Sequence, residues 1–388
     1  MFNKTSREDW ETKVQQQLKT DDIYSVLMKD NLEGLTVQPY EDEVAVLLPN
    51  LPKVEEATQL VAAYDSLADE NTFAFLLDRN VEDLLEKTLF INNAELAEHI
   101  SLEESNRYLS LIDVFSDETD GELNVELGRA LIEKDFERMI AVDVALHQNS
   151  GASIIQQLGA ALAKTKELTE EFGPEILNKM IIRIAVGGNY FFEVAKIRAL
   201  KIVFNTFSKE FNLNEIPYIF AETSFRNKSL HDPENNLIRS TLELSAAMIG
   251  GADAVYSNDY LLGGGGRLSQ EISFKQQIVL AYESIINVFD DAANGSYAVE
   301  DLTRQIAGKA WDYFLEIEEK GGYCAVLRNK TYQKQVYDHA LEEQHWAAEG
   351  KLKIVGANLY PLRPATKKAE QMYDAELLRP VRLAEMFE

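Results

Sequence analysis

Eight short apolar runs, rich in β-branched and aromatic residues, recur along the first two thirds of this chain with helical stretches between them. They are EVAVLLP (43–49), TFAFLLD (72–78), TLFINN (88–93), YLSLIDV (108–114), RMIAVDVAL (138–146), IIRIAVGG (181–188), IPYIFAETS (216–224) and DAVYSN (253–258). Between them, segments such as VEEATQLVAAYDSLA (54–68) and ASIIQQLGAALAKTKELTEEFG (152–173) read as helices. Strand-like runs alternating with helices call for a parallel sheet with crossover helices. Eight such units match the usual size of a closed (β/α)8 barrel, about 250 residues. The competitor is an open doubly wound sheet, but no G-x-G-x-x-G follows the first run to support a dinucleotide fold.

The rest of the chain sorts around that barrel. Residues 1–42, with REDWETKVQQQL and EGLTVQPYED, carry too few apolar residues for a core and read as an arm that lies on another surface. The barrel is assigned to 43–262, a set of C-terminal helices that close it to 263–361, and a polar tail to 362–388. In HDPENNLIRSTLELSAAMIGG, Asp232 is placed to cap a helix with Pro233 in its first turn and Gly250–Gly251 at its end.

Charge limits the partners. A net charge of −27 is the wrong sign for nucleic acid or an anionic membrane surface. The lone cysteine, Cys324, forbids an intrachain disulfide and a cysteine-based metal site. The first residues lack the apolar stretch of a signal peptide, and no run reaches the roughly 18 apolar residues of a spanning helix. The expectation is a cytoplasmic protein that binds no membrane.

In a parallel barrel, reactive groups stand at the C-terminal ends of the strands. His147 ends the fifth run and has the chemistry of a general acid, or of an imidazole bonded within a loop. Thr223, Ser224 and Asn258 end the seventh and eighth runs and are candidate substrate contacts. The stretch LLGGGGRLSQE (261–271) follows the eighth run and opens a helix. Gly265, Gly266 and Arg267 there could hold a phosphate, or form a flexible connection. The histidines, at 99, 147, 231, 339 and 345, show no H-x-x-x-H spacing, and no metal site is expected.

Several long stretches carry a resemblance. GGNYFFEVAKIRALK (187–201), ETSFRNKSLHDPENNLIRSTLELSAAMIGGADAVYSND (222–259), NGSYAVEDLTRQIAGKAWDYFLEIEEKGG (294–322) and LKIVGANLYP (352–361) together resemble the barrel domain of methylmalonyl-CoA mutases. REDWETKVQQQL and EGLTVQPYED are similar to that family's arm, which embraces the partner subunit. The resemblance runs from residue 5 to about 361 and is strongest from 181 onward. It implies a (β/α)8 TIM barrel with coenzyme A threaded along its axis and a cobalamin domain on its C-terminal face. Adenosylcobalamin there supplies the radical that rearranges methylmalonyl-CoA to succinyl-CoA.

This sequence departs from the family pattern at the chemistry. The D-x-H-x-x-G motif that brings the cobalt ligand is absent, and no cobalamin-binding domain is expected within these residues. Aligned on Gln148 and Gly151, Ala145 and Leu146 fall where catalytic members have Tyr-His, so no catalytic residue is assigned. Lys179 or Ile181 falls where substrate contacts would be, and the first-strand tyrosine motif has no counterpart after residue 40. His147 lies one position past the catalytic register, and side chains on a strand alternate faces, so its ring is expected to turn away from the axis.

These departures resemble the family's small subunit. They imply a non-catalytic chain with a side-chain-filled barrel that stabilises a large catalytic subunit in a heterodimer, or forms a homodimer in isolation. Adenosylcobalamin is then expected on the large subunit, with none bound by this chain itself. The alternatives are the substrate barrel of a split acyl-CoA mutase and a freestanding barrel holding a phosphorylated small molecule.

Overall fold

The computed structural model of the chain describes residues 6–41, 47–64, 74–79, 87–118, 121–360 and 362–388. Its centre is a single sheet of eight strands: β1 (Gln59–Ala63), β2 (Ala74–Leu77), β3 (Thr88–Ile91), β4 (Tyr108–Ser110), β5 (Ile140–Asp143), β6 (Met180–Val186), β7 (Tyr218–Thr223) and β8 (Ala254–Tyr256). The order is β4-β3-β2-β1-β8-β7-β6-β5, and every pairing is parallel. The first strand therefore pairs with the last. The ends of the order, β4 and β5, meet through isolated parallel bridges at Leu109–Arg138 and Asp113–Ala141. The result is a nearly closed (β/α)8 TIM barrel.

Helices surround it in chain order: α1 (Arg7–Leu18), α2 (Tyr24–Leu27), α3 (Ala94–Glu98), α4 (Val125–Glu133), α5 (Ala145–Ser150), α6 (Ile154–Phe172), α7 (Tyr190–Lys209), α8 (Pro233–Gly250), α9 (Arg267–Ile278), α10 (Tyr297–Glu319), α11 (Tyr323–Arg328) and α12 (Thr331–Ala348). Local sequence explains where they start. Ser153 caps α6 in a reciprocal capping box with Gln156, and α8 opens after Asp232 with proline in its first turn and ends at Gly251. α10 lies across both α6 and α7. That approach depends on Gly159 of α6, where an added Cβ would come within 2.5 Å of the Tyr313 ring.

Two expectations from sequence are corrected. The first barrel strand is Gln59–Ala63, inside the stretch read as a helix over 54–68. Its run QLVAA is buried at Leu60, Val61 and Ala62, and a short apolar run with helix-favouring alanines cannot be told from a buried helix by periodicity. The run read as the first strand, 43–49, falls partly outside the described residues. Its remainder is not strand: Leu47 is exposed and the Leu48 amide donates to Glu300 at 2.8 Å. The other seven runs each contain a strand.

The second correction concerns residues 362–388, polar in composition and read as a tail. Met372, Tyr373, Val381, Leu383, Met386 and Phe387 are buried in one cluster with Ala340 and Ala347 of α12. Each fully buried large apolar side chain contributes about 1.5–3 kcal/mol. The segment is therefore part of the folded body. Scattered apolar residues without a helical or alternating period gave no sign of this, because the segment packs as irregular chain.

The arm is bound unevenly. α1 buries none of its residues, and Trp10 stacks on Tyr40 at 5.0 Å. Further on, Thr36 and Gln305 exchange two hydrogen bonds, Lys309 donates to the Gly34 carbonyl, and Glu33 accepts from the Ile154 amide at the start of α6.

Candidate functional site

Side chains on a strand alternate faces, so half of each strand points along the barrel axis. One residue from each strand, Val61, Ala74, Phe90, Leu109, Ala141, Ile181, Phe220 and Ala254, belongs to a separate buried cluster that also holds Leu111 and Tyr218. The Phe90 and Phe220 rings lie 5.0 Å apart, with Tyr218 6.5 Å from Phe90. Arg138 places its guanidinium 5.2 Å from the centre of the Tyr218 ring. Aromatic side chains fill the axis.

Above this plug, toward the C-terminal ends, three charged residues face inward. Arg183 on β6 donates from Nη2 to Glu222 at 2.6 Å and from Nη1 to Asp143 at 3.1 Å. Its Nε also donates to Glu222, at 3.2 Å. The two carboxylates outweigh burial and hold Arg183 firmly charged. Burial pushes the Glu222 carboxyl up, against the pull of Arg183. Arg183 is thus turned to carboxylates of its own chain rather than to the mouth. The candidates drawn from sequence at the strand ends did not include Asp143 or Arg183. The available signal was a charged residue inside an otherwise apolar parallel strand, which requires a buried partner.

The substrate candidates at the strand ends bond to one another. The Asn258 amide N–H donates to Thr223 Oγ1 at 3.0 Å and its side chain to the Thr223 carbonyl at 2.7 Å. Ser224 donates to Asn149 Oδ1 at 2.9 Å and lies apart from that pair. In the glycine loop, the Gly265 amide donates to Asp259 at 3.3 Å, and Ser269 donates to the same carboxylate oxygen at 2.5 Å. The Gly265 amide therefore already meets an anion of the chain. Gly266 adopts φ 75° and Arg267 is exposed at the start of α9.

A cavity of 480 Å³ lies over this end, bounded by Tyr256, Asn258, Gly263, Gly264, Pro380 and Arg382. Its far side is the C-terminal segment, which is pinned by backbone. The Val381 amide donates to the Asn149 carbonyl at 2.9 Å, and the Leu383 amide to the Arg226 carbonyl at 2.8 Å. These polar groups are thus bonded among themselves beneath a strap of the same chain. Among the described residues, no group of three or more His, Cys, Asp or Glu is placed to hold a metal ion. No helix among them is long and apolar enough to cross a membrane.

His147 stands elsewhere, and for a different reason than strand alternation. β5 ends at Asp143, and Ala145 and Leu146 open the helix α5, so His147 sits on a helical turn. That turn directs its ring to α11 and α12. Nδ1 lies 2.6 Å from the Tyr332 hydroxyl, and Nε2 lies 3.2 Å from both Asp117 and the Tyr323 hydroxyl. Lys164 completes the cluster, donating to Asp113 at 2.5 Å, Asp117 at 2.6 Å and the Asp143 carbonyl at 3.0 Å. Gly151 closes the turn at φ 98°, and a Cβ there would strike Ala340 of α12 at 2.5 Å.

The charges in this cluster are fixed by their neighbours. Lys164 and His147 overcome burial and hold the Asp117 carboxyl down at about 2, while burial pushes Asp113 up to about 7. Burial also lowers the His147 pKa. Every one of these side chains is buried or nearly so.

Comparison with known proteins is consistent across two searches. Residues 135–386 match the family model described as methylmalonyl-CoA mutase. A methylmalonyl-CoA mutase small subunit from Porphyromonas gingivalis is 30% identical over 238 residues, 58% of this chain and 38% of that protein. A small subunit from Streptomyces virginiae is 29% identical over 238 residues, again 58% and 38% of the two chains. A methylmalonyl-CoA mutase from Rhizobium meliloti is 27% identical over 227 residues, 55% of this chain and 32% of that one. The matched part thus spans 32–38% of the length of these relatives.

Proposed function

The chain belongs to the methylmalonyl-CoA mutase family, and from that membership we propose that it is the small, non-catalytic subunit of a heterodimeric mutase. In this reading a large subunit binds adenosylcobalamin and interconverts methylmalonyl-CoA and succinyl-CoA. The present chain folds against it and stabilises it, and the complex is cytoplasmic.

The observation that carries the reading is the filled axis. A catalytic barrel of this family needs room along its axis for coenzyme A, and here Phe90, Tyr218 and Phe220 occupy that room. Ala145 and Leu146 bring neither a phenol nor an imidazole to the mouth, and Arg183 is committed to Asp143 and Glu222. The arm supports the partner. α1 is a 12-residue helix that buries nothing within its own chain, and isolated helices of that length are marginal in water. A surface supplied by another subunit would hold it.

The test is reconstitution with the large subunit from the same host. We expect a one-to-one complex whose isomerase activity needs the large subunit, and no turnover of methylmalonyl-CoA by this chain alone with adenosylcobalamin supplied. Turnover by the isolated chain, or failure to associate, would overturn the reading.

A further inference from the structure

A larger cavity, of 640 Å³, lies beside the barrel mouth and is lined by none of the residues of the axis cluster. α6 and α7 begin at its floor with Ile154 and Glu193, Glu33 of the arm forms one wall, and α12 forms another with His339, Glu343 and Trp346. Its polar groups divide into those already bonded and those with capacity left.

The cations on the lining are largely committed. Arg226 donates to Glu343 at 2.7 Å, to the Val381 carbonyl at 2.7 Å and to the Tyr373 hydroxyl at 3.0 Å. Arg239 donates to Asn236 at 2.8 Å and to the Val355 carbonyl at 2.6 Å. Lys353 is exposed at the rim. Glu193 is paired with Lys196 at 2.5 Å.

His339 is different. Its Nδ1 lies 2.7 Å from the Gly151 carbonyl, so in the neutral ring that nitrogen carries the proton and Nε2 presents a lone pair. Nε2 is buried and has no hydrogen-bond partner. Glu33, whose carboxyl burial pushes up against the pull of His339, accepts one amide N–H, that of Ile154, at 2.9 and 3.1 Å on its two oxygens. A carboxylate has about four lone-pair sites, so acceptor capacity remains there too. A buried acceptor without a donor carries the cost of its lost hydration. The capacity left over at this end of the cavity is for donors, and the surface beside it is apolar, with Ile154, Ile238, Trp346 and Ile354.

We propose that this cavity binds a small molecule with a protonated amine head and an apolar body, the ammonium donating to His339 Nε2 and Glu33. An ammonium has three donors and no acceptor, which matches two acceptors and repels neither. A carboxylate or phosphate head would place lone pairs against lone pairs. The net charge of −27 favours the approach of a cation from solution.

The experiment is calorimetric titration of the full chain with hexylammonium and, as the matched anion, hexanoate, with tryptophan fluorescence followed in parallel. Saturable hexylammonium binding is expected, with hexanoate weaker by about tenfold or more. His339→Phe and Glu33→Gln should each weaken the ammonium by a similar factor, and Trp346→Phe should remove the fluorescence change. Circular dichroism of each variant checks folding, and Glu33→Gln keeps the test open if His339→Phe does not fold. Absence of saturable binding, equal binding of hexanoate, or unchanged affinity in the folded variants would overturn the proposal.

Discussion

The two halves of the barrel are built to different standards. In the second half, β6 and β7 run seven and six residues, and α6, α7 and α8 run 19, 20 and 18. In the first half the strands run three to five residues, and the described helices α3 and α4 run five and nine. The family match begins at residue 135, just before β5. Long helices bury long faces, and the apolar core they build is shared: one cluster joins Leu60, Phe75 and Leu89 of the first half to Leu158, Ile182 and Leu200 of the second.

The two joints differ as well. At β1–β8 three residue pairs stand in register. At β4–β5 the ladder is reduced to isolated bridges, and the ion cluster around Lys164 sits on that joint. A residue of α6, in the second half, thereby holds Asp113 and Asp117, which follow β4 in the first. Chemistry-bearing side chains in this protein are used as fasteners.

Removing the fastener is the strongest way to break the comparison. Lys164→Met leaves two buried carboxylates without their cation, and about 3–5 kcal/mol should be lost in urea unfolding. A loss under about 1 kcal/mol would mean that backbone bridges alone join the halves.

A smaller effect is expected from His147→Gln, about 1–3 kcal/mol at neutral pH, from broken buried hydrogen bonds. Its pH dependence has a definite sign. Burial lowers the His147 pKa below the ordinary 6.5, so the ring is neutral in the fold while the unfolded chain takes up the proton first. The stability tied to the neutral ring is present above 6.5 and is lost as pH falls through the folded value. The cost of the substitution should therefore shrink on acidification below 6.5, read from unfolding curves of both proteins across that range. A cost that grows with acid would show a charged ring in the folded state.

The mildest test compares helix caps. Ser153→Ala, at the capping box of the 19-residue α6, should cost about 1 kcal/mol. Asn93→Ala, at the five-residue α3, should cost less, because little helix depends on it. Equal costs in thermal unfolding would remove the distinction between the halves.

What could be read from sequence followed the same division. From β2 onward each strand fell on an apolar run, β6 starting one residue ahead of its run at Met180, and α8 began and ended where its proline and glycine placed it. β1 was hidden because QLVAA has the composition of a helix and its strand character comes from lying between β2 and β8. The strand-end reading failed at His147 because the chain leaves β5 at Asp143 and turns into α5 at once, a change of direction that the apolar run RMIAVDVAL does not mark. At the site, the plug was foreseen only as a filled axis; which rings fill it depends on register between strands distant in sequence. The Lys164 cluster was invisible for a similar reason, since its members come from four elements and the loop after β4.

The aromatic plug has a thermodynamic corollary. A protein stabilised by a bound ligand gains RT ln(1 + [L]/Kd) and loses it when the ligand becomes scarce. Side chains that fill the axis are present at unit stoichiometry whatever the metabolic state of the cell. The part of the folding energy supplied by Phe90, Tyr218 and Phe220 is therefore written into the chain and does not vary with the supply of a ligand.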